Sequence, residues 1–106
     1  MLERTYQAKL IQRLRRMFPG CVILKNDTSY MQGIPDLTIL YGDRWAVLEV
    51  KANERYTTEP NQEYYVQKLD EMSFSAFIYP ENERDVLHEL QQTFQSRRPA
   101  RISQRQ

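Results

Sequence analysis

The sequence predicts a small α/β sandwich, a sheet with helices covering both faces. Three observations predict it. Apolar spacing switches between helical and strand periods along the chain, giving the order α-β-β-β-α-β-α. Gly42-Asp43 joins two strong strand segments as a glycine-first, two-residue hairpin turn. Both faces of that hairpin are apolar, one through Leu40, Trp45 and Val47, the other through Leu37, Ile39, Ala46, Leu48 and Val50. Each face therefore needs a covering layer, which helices before and after the hairpin can supply.

Residues 2–17 form the first helix, because Leu2, Tyr6, Leu10, Leu14 and Met17 recur at three- and four-residue spacing and Pro19-Gly20 ends the run. Residues 21–25 (CVILK) are a short apolar strand, and the polar stretch 26–33 is a loop. The hairpin strands are Asp36–Tyr41 and Arg44–Lys51. Residues 60–72 follow as a helix, with Thr58 or Glu59 as its cap and Pro60 in its first turn. Residues 74–79 (FSAFIY) are a strand, and Asn82–Phe94 is a final helix with Val86, Leu87, Leu90 and Phe94 inward.

The chain has 106 residues, enough for one domain with 41% hydrophobic content to build its core. Its longest apolar runs are far too short to span a membrane, and no secretion signal begins the sequence. Cys21 is the only cysteine, so no disulfide forms within the chain and a cytoplasmic location is expected. The net charge of +1 hides an asymmetry. Residues 1–25 carry six Lys/Arg against one acid, residues 59–96 eight acids against two bases, and Arg97, Arg98, Arg101 and Arg105 make the tail basic. Such blocks fit a polyanion binder with one binding side, although solvated helix faces also produce them.

The hairpin brings chemistry together. With Gly42-Asp43 as the whole turn, paired residue numbers sum to 85 and Asp36 faces Glu49. Cross-strand partners stand close enough for both carboxylates to reach one cation. Alternation puts Lys51 on the face of Glu49, with Val50 on the other. Two acids and a lysine at one end of an apolar sheet suit phosphodiester hydrolysis: hard oxygen ligands for Mg²⁺, and a cation for the phosphate. A plain ion pair of Lys51 with a strand-end acid is the alternative. An acid-x-lysine tripeptide alone is common, but Pro35-Asp36, twelve residues, then Glu49-Val50-Lys51 across a hairpin is selective.

Gly33-Ile34-Pro35-Asp36-Leu37 followed by Glu49-Val50-Lys51 resembles the PD-(D/E)XK nuclease superfamily. Within it the chain is most similar to small phage Holliday junction resolvases and stand-alone VRR-NUC-type domains, over roughly residues 2–79. The Val-Arg-Arg triplet that names the latter group is absent. The resemblance implies a restriction-endonuclease-like α-β-β-β-α-β core, its mixed central sheet flanked by helices, with an added C-terminal helix. One nuclease domain is expected over residues 1–96, with a basic, flexible tail at 97–106. The resemblance implies Mg²⁺ or Mn²⁺ held by Asp36, Glu49 and the Val50 carbonyl, with Lys51 catalytic. Members often carry an acid on the first helix, here Glu3, and a glutamine on the helix after the motif, here Gln62. Glu3 as a helix N-terminal charge and Gln62 as a helix-end hydrogen bond are the plainer readings.

DNA is the expected partner. Lys9, Arg13 and Arg16 form a basic stripe on the first helix, and Lys25, Ser29, Tyr30 and Arg55 sit in polar loops suited to backbone contacts. The implied activity is a metal-dependent endonuclease acting on branched DNA, with flap, nicking or restriction-like cleavage and non-catalytic binding as rivals. Symmetric cutting of a junction calls for a homodimer, joined through the first or the last helix.

Overall fold

The computed structural model describes residues 1–96, and the elements follow in the expected order. They are α1 (Glu3–Met17), β1 (Val22–Lys25), β2 (Leu37–Tyr41), β3 (Arg44–Val50), α2 (Gln62–Met72), β4 (Ser75–Ile78) and α3 (Glu83–Gln95). The strands form one sheet in the order β1-β2-β3-β4. β1–β2 and β2–β3 are antiparallel, while β3–β4 is parallel, so the sheet is mixed. A parallel pair needs a long crossover, and α2 supplies it. The hairpin register runs from Tyr41↔Arg44 to Leu37↔Leu48, which is the predicted pairing.

Alternation along β2 and β3 sends Leu37, Ile39, Ala46, Leu48 and Val50 into one core, all fully buried. α1 contributes Tyr6, Leu10, Ile11 and Leu14 to that core, and α3 contributes Val86, Leu87, Leu90 and Phe94. Both helices therefore cover one sheet face. α2 packs against β3 and β4, and Val47 and Val66 are buried outside the main core. Cover on the second face stops there. Val22, Leu24 and Leu40 stay exposed on β1 and β2.

Two helix starts differ from expectation. Leu2 is 63% exposed at the α1 N-cap and does not join the apolar stripe. α2 begins at Gln62, with neither Thr58 nor Glu59 capping it and Pro60 ahead of its first turn. Its N-cap is Asn61, in the left-handed region with φ 71° and no side-chain capping bond. Gly33 explains the shift, since its own φ of +93° and lack of a side chain let the β1–β2 loop press against Pro60 and Asn61.

α1 and α3 are tied by a polar link within the apolar contact. Glu83 accepts from the Tyr6 hydroxyl at 2.8 Å and from Arg13 at 3.1 Å. Arg13 is thus engaged within the fold, which weakens its expected role in a nucleic-acid stripe. Lys9 and Arg16 are exposed on the same helix. The basic residues from Arg97 onward lie outside the described residues.

Candidate active site

β2 and β3 deliver the two acids. Asp36 precedes the first residue of β2, and Glu49 is the penultimate residue of β3. Asp36 Oδ2 accepts from the Val50 amide at 2.9 Å, which fastens the carboxylate across the hairpin. Amide and carbonyl of one strand residue point the same way, so the Val50 carbonyl also emerges on the Asp36 side. Asp36 and the Val50 backbone thus meet at the open end of the hairpin, beside Glu49.

Glu49 is 3% exposed and Lys51 is 7% exposed, so both are ionisable groups withdrawn from water. Gln62 links them. Its Nε2 donates to Glu49 Oε2 at 3.0 Å, and its Oε1 accepts from Lys51 Nζ at 2.9 Å. The same Oε1 accepts from the Glu59 amide at 2.8 Å, which leaves the amide only one sensible orientation. Lys51 Nζ also donates to the Thr57 carbonyl at 2.9 Å and stands 3.8 Å from Glu49 Oε2. The Tyr56 ring flanks the ammonium at 5.7 Å, stacked on Phe77 at 5.2 Å. Lys51 is thereby aimed by two hydrogen-bond acceptors, an ion pair and an aromatic face.

The electrostatics leave the site short of positive charge. Burial, then the neighbouring Asp36 charge, push Glu49 up to about 8, with Lys51 opposing. Asp36 is raised by burial, against the pull of the Val50 amide. Glu3 is raised by burial and by Asp36, so the acid of α1 faces the same cleft. Glu49 Oε1 is buried without a hydrogen-bond donor. Two close carboxyls and an orphaned oxygen can be relieved by a shared proton or by a cation, and hard oxygen donors suit Mg²⁺ or Mn²⁺. Among the described residues no three His, Cys, Asp or Glu side chains converge tightly enough to hold an ion by themselves. The carboxyls of Asp36 and Glu49 are close neighbours, and Glu3 lines the same cleft.

A cleft of about 630 Å³ opens over these groups, lined by Glu3, Asp36, Glu49, Lys51 and Gln62. Of the expected nucleic-acid contacts, Arg55 lines the cleft, while Ser29 and Tyr30 belong to a loop whose Thr28 and Gln32 do. Lys25 is exposed at the end of β1, and Lys9, Arg13 and Arg16 do not line the cleft. Sequence reasoning missed the Thr57 carbonyl and the Glu59 amide, since backbone groups of an irregular loop leave no residue-type signal. No family model, curated protein or solved structure matches this chain. No helix among the described residues is long and apolar enough to cross a membrane.

Proposed function

We propose that this protein is a divalent-metal-dependent DNA endonuclease with a restriction-endonuclease-like fold of the PD-(D/E)XK type. Branched DNA such as a Holliday junction is the substrate class, and a homodimer is the working unit. The observation that carries the reading is the paired Asp36 and Glu49 carboxyls, with Glu49 Oε1 lacking a donor, beside a buried and fully oriented Lys51. A structural ion pair needs neither the second acid nor an open cleft above it.

Asp36, Glu49 and the Val50 carbonyl are the groups that would hold Mg²⁺ or Mn²⁺. When bound, such an ion neutralises phosphate charge and acidifies a coordinated water. Lys51 directs its ammonium at the same space, where it can hydrogen-bond a phosphate oxygen or orient the attacking water. Gln62 bridges Lys51 and Glu49 and so fixes the one relative to the other. Glu3 extends the acidic wall and can accept a hydrogen bond from a water in the cleft.

The test is incubation of the pure protein with four-way junction, flap, duplex and single-stranded DNA, with and without Mg²⁺. Mg²⁺-dependent cutting that Asp36→Asn abolishes is expected, with junction cut fastest. A protein that binds these DNAs and never cuts them in Mg²⁺ or Mn²⁺ is a binding module on this fold. Absence of both binding and cutting removes nucleic acid from the reading.

A further inference from the structure

The loop between β1 and β2 carries the candidate catalytic Asp36 at one end and an exposed tyrosine at its tip. Tyr30 is 85% exposed, the most exposed large apolar side chain among the described residues, and Met31 beside it is 39% exposed. A loose polar loop could show the same exposure, but this loop is fastened throughout. At its base the Asn26 amide donates to the Pro35 carbonyl at 2.8 Å and to Thr38 Oγ1 at 2.9 Å, and the Asn26 N–H donates to the Asp36 carbonyl at 2.8 Å. Asp27 Oδ1 accepts from the Ser29 amide at 2.9 Å and also from its hydroxyl. The Tyr30 amide closes one turn on the Asp27 carbonyl at 3.2 Å, and the Ile34 amide closes the next on Met31 at 3.2 Å. Gly33 then wedges the loop against Pro60 and Asn61.

Asn26 thus ties the base of the loop to β2, Asp27 and Ser29 bond one another on its exposed surface, and Tyr30 stands at the tip. Thr28 and Gln32, on either side of it, line the cleft. Asp36 follows Tyr30 by six positions, a span of at most about 22 Å when extended and less across two turns. At about 3.4 Å per nucleotide of one strand, that is a few nucleotides from a phosphate held at Asp36. An exposed aromatic ring carried on a fastened loop at that distance has one obvious use on DNA. It stacks on a base, and a fastened backbone beneath the ring lowers the entropy lost on doing so. Bases within continuous duplex have both faces occupied, whereas a base at a branch point or in a single strand has a face free.

We propose that Tyr30 is a stacking platform for an unpaired nucleobase a few nucleotides from the scissile phosphate, and that this subsite favours branched or frayed DNA over continuous duplex. The proposal rests on the nuclease reading and adds the element that selects the substrate. The ring supplies the interaction, not the hydroxyl.

The experiment compares the wild-type protein with Tyr30→Phe and Tyr30→Ala. The DNAs are a flapped duplex with 2-aminopurine in the unpaired arm next to the branch and a continuous duplex of the same sequence. Titrations in Ca²⁺ report binding, and Mg²⁺ reports cutting. Wild type and Tyr30→Phe should change 2-aminopurine fluorescence on the flapped DNA. Tyr30→Ala should lose that signal and about 10- to 100-fold in flap affinity, with duplex affinity within about twofold and the melting temperature unchanged. Equal losses on both DNAs, or no loss on either, overturn the proposal while leaving metal-dependent cutting intact. A wild-type protein that binds neither DNA overturns it together with the nuclease reading.

Discussion

Gly33 lies so close to Asn61 that a Cβ built on it would stand 2.6 Å from Asn61 Cβ and 2.8 Å from the Pro60 carbonyl oxygen. The contact joins the loop that ends in Asp36 to the start of the helix that carries Gln62. Gly33→Ala meets two penalties at once, a backbone clash and a φ of +93° that L residues avoid. It should cost about 2–4 kcal/mol in urea unfolding. Relief of the clash moves Asn61 outward, so turnover should fall further than stability alone explains. A variant with unchanged unfolding and turnover would show that the two segments separate freely.

Gln62 is the next link. Gln62→Ala removes the donor to Glu49 and one acceptor of Lys51 together. Turnover should fall on the order of 10²-fold with DNA affinity little changed, as for loss of an oriented group felt in the transition state. Gln62→Glu should fare worse, because it adds a further acid to a site that already raises Glu49. Equal activity of wild type and both variants would assign Gln62 to the helix end alone.

Without a divalent ion, Glu49 sets a pH dependence of stability. Its folded-state value is raised, to about 8, above the ordinary 4.5, because burial and Asp36 penalise the charged form. Its protonated form therefore favours folding below about 4.5, and that contribution is lost as pH rises toward 8. The metal-free protein should lose thermal stability across that window, and Glu49→Gln should flatten the loss and melt several degrees higher at pH 8. Mg²⁺ should restore the wild type at pH 8 and leave Glu49→Gln nearly unmoved. A wild-type melting temperature that stays flat or rises across this window would rule out a buried, uncompensated carboxyl pair.

The legible part of the site was set by short-range rules. A two-residue turn fixed the β2–β3 register, and register plus alternation placed Asp36, Glu49 and Lys51 without any tertiary information. The helix stripe of α1 and the apolar face of α3 were equally local. What stayed hidden depends on contacts distant in sequence. The start of α2 was misplaced because Asn61, packed against Gly33 from 28 positions away, takes a left-handed conformation ahead of the helix. Arg13 looked available as part of a basic stripe because its partner, Glu83, lies 70 positions later. The loop holding Lys51 acts through the Thr57 carbonyl, which every residue type possesses.

Lys51 itself should behave as a catalytic group held by the fold. Lys51→Ala should lose on the order of 10²–10³ in turnover while retaining most DNA affinity. Removal also leaves the Thr57 carbonyl without its Lys51 donor and Glu49 without its counter-charge, so some stability is lost as well. Lys51→Met, which keeps the buried stem, separates the effects: it should retain more of the packing yet cut no faster than Lys51→Ala. Near-normal turnover in Lys51→Met would make the ammonium structural.

The assembly is expected to form on the sheet face that α2 leaves bare, not on α1 or α3. α3 spends its apolar side on the core, where Val86, Leu87, Leu90 and Phe94 are all buried. Val22, Leu24 and Leu40 are 50%, 46% and 39% exposed, and the register sets Val22 directly beside Leu40. β1 is also an edge strand, and among the described residues its outer side pairs with no other strand. A second copy related by a two-fold axis would cover this face and present two sites of the symmetry that a four-way junction requires. Light scattering at micromolar concentration should give a dimer for the wild type and a monomer for Leu24→Glu, with a circular dichroism spectrum unchanged from wild type because Leu24 is outside the core. On a cruciform plasmid the wild type should make paired cuts that linearise it, while the monomer makes nicks. A Leu24→Glu dimer would move the contact to the exposed Met1 and Leu2 at the start of α1. A wild-type monomer that only nicks would keep the metal-dependent chemistry and defeat junction resolution.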